Sequence, residues 1–318
     1  MRKRWLRWEP RAHGPPQTRH GGEGARHGRG LPRLTRASPR IEPPSLAAAA
    51  AGARGVGYPG AMPNTPIQIE PCDAALGAEV RGANLHEPDT ATIDTLRQAL
   101  VTHQVLFFEP HELAVHEHQA LAAAFGEIAP HDELPLVDDE YDVIHIDTGE
   151  KAPTAEWWHA DVTCAPAPPM GSLLHMQITP DRGGATHFAS MTRAWEALSE
   201  PMKQRLEGLT ARHDSWWQPL QSSIHPVVRT HPESGRKLIF VNYIFTKQIV
   251  ELPEDESDAL LQELFDHTAR EEFSVRHEWS PFELALWDNR ATHHRVDNDF
   301  GEARRRIHRV TIQGDRPY

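Results

Sequence analysis

Cysteine is nearly absent: the 318 residues hold only Cys72 and Cys164. A disulfide-built scaffold is thereby excluded and a single bridge is not expected. Such usage suits a reducing, cytoplasmic setting, with both thiols structural. No apolar run is long enough to span a bilayer, which argues against a membrane role. Basic charge is also scarce where nucleic acid would need it. The formal net charge is −12, and residues 1–61 hold about a dozen Arg and Lys against only Glu9, Glu23 and Glu42. The remainder is therefore strongly acidic, which excludes a nucleic-acid partner. An anionic substrate would need a local basic pocket in that surface.

The first 61 residues also lack apolar periodicity. "MRKRWLRWEPRAHGPPQTRHGGEGARHGRG" and its Pro-, Gly- and Arg-rich continuation cannot offset ordering entropy by burial. Residues 1–61 are expected to be a disordered basic extension without a catalytic role. Pro and Gly break the amphipathic helix of a transit peptide, and the short Ala run is too weakly apolar for a secretory signal. Met62 opens the first globular-looking sequence, and native translation is expected to start there, leaving the extension out of the native protein.

From Met62 the pattern becomes regular. "IQIEP", "QVLFFEP", "YDVIHIDTG", "GSLLHMQIT" and "GGATHFAS" read as strands. "ATIDTLRQALVTH", "HEHQALAAAFGEI" and "ESDALLQELFDHTARE" read as helices, and another passes through Trp195 and Leu198. "HPVVRTHPESGRKLIFVN" reads as a hairpin turning at Pro-Glu-Ser-Gly. "FSVRHEWSPFELALWDN" and "RRRIHRVTIQGD" supply late strands. Many short strands with few helices predict one mainly β domain over 62–318, a sandwich or jelly roll with helical decoration.

"EWWHADVTCAPAPP" places His159 and Asp161 two residues apart. On a strand both would face one side. Such a pair can hold a metal, run acid–base chemistry, or hydrogen-bond internally. "ALWDNRATHHRVDND" adds His293 and His294 just beyond an apolar strand. His-x-Asp plus one distant His is the ligand pattern of the 2-His-1-carboxylate triad, which leaves positions on Fe(II) open. "EARRRIHRVTIQGDRP" then brings a basic cluster. Arg305 and Arg309 share a face at even spacing and can fork onto carboxylates. Arg304 and Arg306 read as a solvated strand end. Thr186 follows two glycines in "DRGGATHF".

The chain resembles the TauD/TfdA family of Fe(II)- and 2-oxoglutarate-dependent dioxygenases from about Met62 to the C-terminus. The motifs are "LFFEP", "AAFGEI", "WHADVT", "PPMGSLL", "GGATHFAS", "HPVVRTHPESGRKLIFVN", "WDNRATHH" and "RIHRVTIQGDRP". The resemblance implies a double-stranded β-helix (jelly-roll, cupin-like) core with Fe(II), and 2-oxoglutarate and O2 as cosubstrates. It puts the metal ligands at His159, Asp161 and His294; His293 stands where relatives commonly have Gln. It puts Thr186 and Arg305 on the far carboxylate of 2-oxoglutarate, and Arg309 near both the cosubstrate and the substrate anion. His131 and the Val162 N–H fall on substrate contacts.

The implied reaction hydroxylates a C–H beside the head group of a small anionic organic substrate, releasing succinate, CO2 and an aldehyde-type product. Leu134 and Ala155 stand where taurine dioxygenase has polar residues, which favours an alkylsulfonate or alkyl sulfate with an apolar tail over taurine. The alternative is an aryloxyalkanoate or other carboxylate. A zinc hydrolase would not need the paired arginines, and a noncatalytic jelly roll would not need all three ligands. Homo-oligomerisation stays open.

Overall fold

The computed structural model describes residues 66–130, 134–138, 140–148, 155–217 and 219–318, all within one compact unit, Ala61–Tyr318. His131 and the N-terminal extension lie outside the described residues. The elements run β1 (Gln68–Pro71), β2 (Ala78–Arg81), α1 (Thr90–His103), β3 (Val105–Phe108), α2 (Val115–Ala123), β4 (Ile144–Asp147) and β5 (Gly171–Ile178). There follow β6 (Thr186–Ser190), α3 (Met191–Glu196), α4 (Glu200–Leu206), β7 (Thr210–Asp214), β8 (Ser222–Pro226), β9 (Val228–Thr230) and β10 (Lys237–Ile239). The chain ends with β11 (Thr246–Ile249), α5 (Glu254–Thr268), β12 (Ser274–His277), β13 (Leu284–Asp288), β14 (Thr292–Val296) and β15 (Arg306–Ile312).

A seven-stranded sheet in the order β1-β2-β3-β13-β5-β15-β4 packs with a three-stranded sheet, β12-β6-β14. Strand periodicity explains the layering, because successive side chains point to opposite faces. On β13, Leu284 and Leu286 join the cluster formed with Leu96 and Leu100 of α1 and Leu121 of α2. Ala285 and Trp287 point the other way, into the cluster holding Phe188 of β6 and Ile307 of β15. Leu96 and Leu100 are essentially inaccessible to solvent; burying each contributes about 1.5–3 kcal/mol. Asp89 starts α1 by accepting from Thr92 N at 2.8 Å, the usual role of an N-cap carboxylate. The core is thus the double-stranded β-helix expected from the sequence, with helices covering one face.

The hairpin of 225–242 forms, with Thr230 opposite Lys237 across its turn. Both cysteines are free. No helix among the described residues is long and apolar enough to cross a membrane.

One local expectation fails. Residues 159–161 do not form a strand. His159 makes a single antiparallel bridge to His294, and the chain turns at Asp161. Side-chain convergence therefore comes from a turn rather than from strand alternation.

Candidate active site

Two backbone hydrogen bonds bring the distant halves of the site together. His159 N donates to His294 O at 3.1 Å, and His294 N donates to His159 O at 2.8 Å. The two imidazoles consequently lie with ring centroids 4.2 Å apart. Asp161, at the following turn, aims its carboxylate between them: Oδ1 is 3.7 Å from His159 Nε2 and 3.8 Å from His294 Nε2. One donor atom from each of the three residues falls within 4.8 Å of the others, and all three side chains are buried.

Their protonation suits a metal. His159 Nδ1 is 2.7 Å from Trp157 O. A carbonyl can only accept, so Nδ1 carries the proton and the Nε2 lone pair faces Asp161. Burial lowers the pKa of His159 and pulls that of His294 down to about 3, so both imidazoles are neutral near pH 7. Burial pushes the Asp161 carboxyl up, but the Arg309 guanidinium and the two imidazoles outweigh it and hold Asp161 well below the usual carboxylate range. Two neutral imidazoles and one carboxylate, without thiolate, fit Fe(II). Cys164 does not compete: burial pushes its thiol up to about 12, and its Sγ lies 3.8 Å from Gln221 Oε1.

A cavity of about 70 Å³ opens beside His294 between the two sheets. Its walls are apolar, including Phe188, Trp287 and Ile307, and Arg305, Arg309 and Thr186 mark its polar lining. Arg305, Ile307 and Arg309 reach it at period two, although Arg305 itself precedes the first residue of β15. Arg305 is 6% exposed. Its Nη2 donates to Thr186 Oγ1 at 3.4 Å, while its Nε has no partner among the described residues. Burial alone lowers its pKa, to about 10. A buried cation without a counter-charge is costly, so this site is built to receive an anion. A larger cavity, about 270 Å³, is lined by Gln104, Arg193 and Arg236 and contains none of these groups.

Thr186 is oriented by a residue the sequence did not reveal. Trp279 Nε1 donates to Thr186 Oγ1 at 2.9 Å. With Trp279 and Arg305 both donating to it, the hydroxyl has used both lone pairs, and its own proton is left for a ligand oxygen. Trp279→Phe is expected to raise the KM for 2-oxoglutarate about fivefold, the worth of a net hydrogen bond of ~1 kcal/mol. Steady-state titration of 2-oxoglutarate checks this, and an unchanged KM would remove Trp279 from the site.

Other sequence-based assignments fare differently. Arg309, expected near the cosubstrate and the substrate anion, donates from Nη1 to both Asp161 oxygens at 3.3 Å and lines the cavity with Arg305. Val162 sits on the ligand turn with φ +49. His293 is buried but outside the triad. Leu134 is half-buried. Ala155 lines the cavity that holds Thr186, Arg305 and Arg309. Arg304 is not a bland strand end: its Nε and Nη2 donate to the buried carboxylate of Asp147 at 2.6–3.0 Å. Asn289 was missed altogether, although it holds the backbone of Asp161.

The chain is similar to known proteins over most of its length. The family described as "Taurine catabolism dioxygenase TauD, TfdA family" matches residues 68–311. An alkylsulfatase of Acinetobacter baylyi is 32% identical over 277 residues, 80% of this chain and 87% of that protein. An alpha-ketoglutarate-dependent sulfate ester dioxygenase of Pseudomonas putida is 31% identical, over 79% of this chain and 91% of that protein. The crystal structure of a taurine dioxygenase from Burkholderia xenovorans superposes with a TM-score of 0.74 at 36% identity, covering 80% of this chain and 91% of that one. Matches of this extent, over the stretch that carries both halves of the triad, make this chain a member of the TauD/TfdA family of dioxygenases that use Fe(II), 2-oxoglutarate and O2.

Proposed function

We propose that this dioxygenase oxidises the C–H beside the head group of an alkyl sulfate or alkylsulfonate with an apolar tail, releasing succinate, CO2 and an aldehyde-type product. His159, Asp161 and His294 hold Fe(II), and the bound iron supplies the oxidising power from O2 and 2-oxoglutarate. Arg305 and Thr186 clamp the far carboxylate of 2-oxoglutarate, the Thr186 hydroxyl donating. The observation that carries the reading is Arg305, a buried cation facing the triad's cavity with no acid among the described residues to pair it. Arg309, His131 and the Val162 N–H take the substrate anion. Kinship with the sulfate ester dioxygenase and the alkylsulfatase supports a sulfur oxyanion as that head group. The scarcity of cysteine supports a cytoplasmic setting.

The apolar tail is supported by the rim around the ligand turn. Trp157, two residues before His159, is 56% exposed and stacks on Tyr243 at 5.0 Å. Trp216 is 63% exposed and packs on Phe245 at 5.2 Å. Both contacts flank Asn242, whose amide donates to Thr163 Oγ1 on that turn. Exposed tryptophans beside a reactive centre offer a tail apolar contact, while an ammonium group would be desolvated there without a partner.

The test is kcat/KM for taurine, hexanesulfonate, hexyl sulfate and phenoxyacetate, measured together. Hexyl sulfate or hexanesulfonate should lead, with about a fourfold rise per methylene until the contact is filled. Trp216→Ala should flatten that rise. Taurine as the best substrate would defeat the apolar-tail reading, and phenoxyacetate as the best would move the assignment to the carboxylate branch.

A further inference from the structure

Val162 follows a metal ligand in a conformation that a β-branched residue rarely adopts, with φ +49. Strained backbone of this kind persists only where its surroundings hold it. One side chain provides that hold. Asp161 N donates to Asn289 Oδ1 at 2.7 Å, and Asn289 Nδ2 donates back to Asp161 O at 3.1 Å and to Pro169 O at 3.2 Å. A single amide, 1% exposed, therefore takes both backbone polar groups of Asp161. Because the Asp161–Val162 peptide is planar and trans, fixing Asp161 O on one side fixes the Val162 N–H on the other.

Asn289 is itself immobilised. It lies in the turn between β13 and β14, and its N donates to Met170 O at 2.9 Å. Its neighbour Asp288 accepts from Arg290 Nε and Nη2 at 2.9 and 2.6 Å and pairs with His231 Nε2 at 2.9 Å. Ser234 N donates to His231 Nδ1 at 3.0 Å, so His231 carries its proton on Nε2 and donates to Asp288. Arg290 reaches on to Glu233 at 2.8 Å, and Glu233 to Arg97 at 2.9 Å. The same turn leads directly into His294.

We propose that Asn289 is a positioning residue. It sets the Asp161 carboxylate against His294 by tying the two ligand-bearing segments together, and it holds Val162 in its left-handed conformation. The clamp orients two of the three metal ligands without touching the metal. It rests on the assignment of the triad as the iron site, but not on the choice of organic substrate.

The test is anaerobic Mn(II) titration of the full chain by calorimetry, which needs no organic substrate and no turnover. Asn289→Ala should weaken Mn(II) binding by about 10- to 100-fold, the usual consequence of losing a group that orients a ligand. Asn289→Asp, which preserves size but turns a carboxylate oxygen toward two carbonyls, should weaken it comparably and serves if the alanine variant does not fold. Leu96→Ala, which cavitates the core around α1, controls for stability and should retain affinity at a similar thermal midpoint. Adding Val162→Gly to Asn289→Ala should recover part of the affinity, because glycine adopts positive φ without strain. Wild-type affinity in both Asn289 variants would overturn the proposal, as would an equal loss in Leu96→Ala. Failure of every variant and of wild type to bind Mn(II) would instead strike at the triad. Absence of recovery in the double variant would remove the strain from the argument.

Discussion

Arg305→Ala is expected to raise the KM for 2-oxoglutarate more than tenfold, and to abolish the thermal stabilisation that 2-oxoglutarate gives the wild-type protein. The guanidinium is 6% exposed, no carboxylate among the described residues pairs with it, and Thr186 Oγ1 at 3.4 Å accepts only one of its N–H groups. Burial lowers its pKa only to about 10. The cation therefore persists at neutral pH, and its desolvation penalty is fully present there. Because the folded value lies below the ordinary value for arginine, that penalty would lift only as pH rises through about 10. A bound carboxylate offsets the penalty with charge-assisted hydrogen bonds. Removing one partner of such a pair from a desolvated site costs on the order of 2–5 kcal/mol. The free protein should respond in the opposite sense. Arg305→Met fills similar volume without charge, and its unliganded form should be at least as stable as wild type. Thermal melts with and without 2-oxoglutarate test both halves. A 2-oxoglutarate-dependent shift that survives in Arg305→Ala would refute the assignment, and marked destabilisation of unliganded Arg305→Met would show that the cation is structurally satisfied.

The chemistry of this site was more legible in the sequence than its local geometry. With 21 histidines in the chain no single one stands out, and it is the pattern that does: the His-x-Asp pair at His159 and Asp161, the distal His294, and Arg305 at even spacing from Arg309. Long periodic segments such as α1 and α5 were equally plain, as were apolar strands such as β5 and β13. The bend at Asp161 was not legible, because it depends on Asn289, 128 positions away. Local pattern gives valine no reason to leave the β region, and only a tertiary clamp overrides that preference. Arg304 misled for a similar reason: its partner Asp147 is buried on β4, which pairs with β15 across the sheet. Nothing in the local pattern marks Trp279, because its role rests on the distant Thr186, whose hydroxyl accepts from its indole N–H. In each case the missing information was a contact between segments distant in sequence.

His294→Ala is expected to abolish succinate release and metal binding, while His293→Ala retains one metal ion per chain. The two histidines are adjacent on β14 and point to opposite faces, so only one can enter the triad. Register assigns the roles: His294 pairs with Phe188 on β6, and His293 with Ala189. His294 Nε2 then lies 3.8 Å from Asp161 Oδ1. His293 lies outside the triad, close enough to His213 to affect its titration. Burial pulls the His293 pKa down to about 3, so it packs as a neutral ring, and its loss leaves a cavity rather than a missing ligand. Truncating a buried side chain of that size should cost about 1–3 kcal/mol of stability, visible as a lower melting temperature with metal stoichiometry unchanged. His159→Ala and Asp161→Ala should behave like His294→Ala, since two donors cannot hold the ion in the face-capping arrangement that leaves room for 2-oxoglutarate and O2. Mn(II) titration and succinate release on the four variants decide the matter. Metal loss in His293→Ala with retention in His294→Ala would reverse the ligand assignment and require β14 to be shifted by one residue, which would turn every side chain of that strand to the other face.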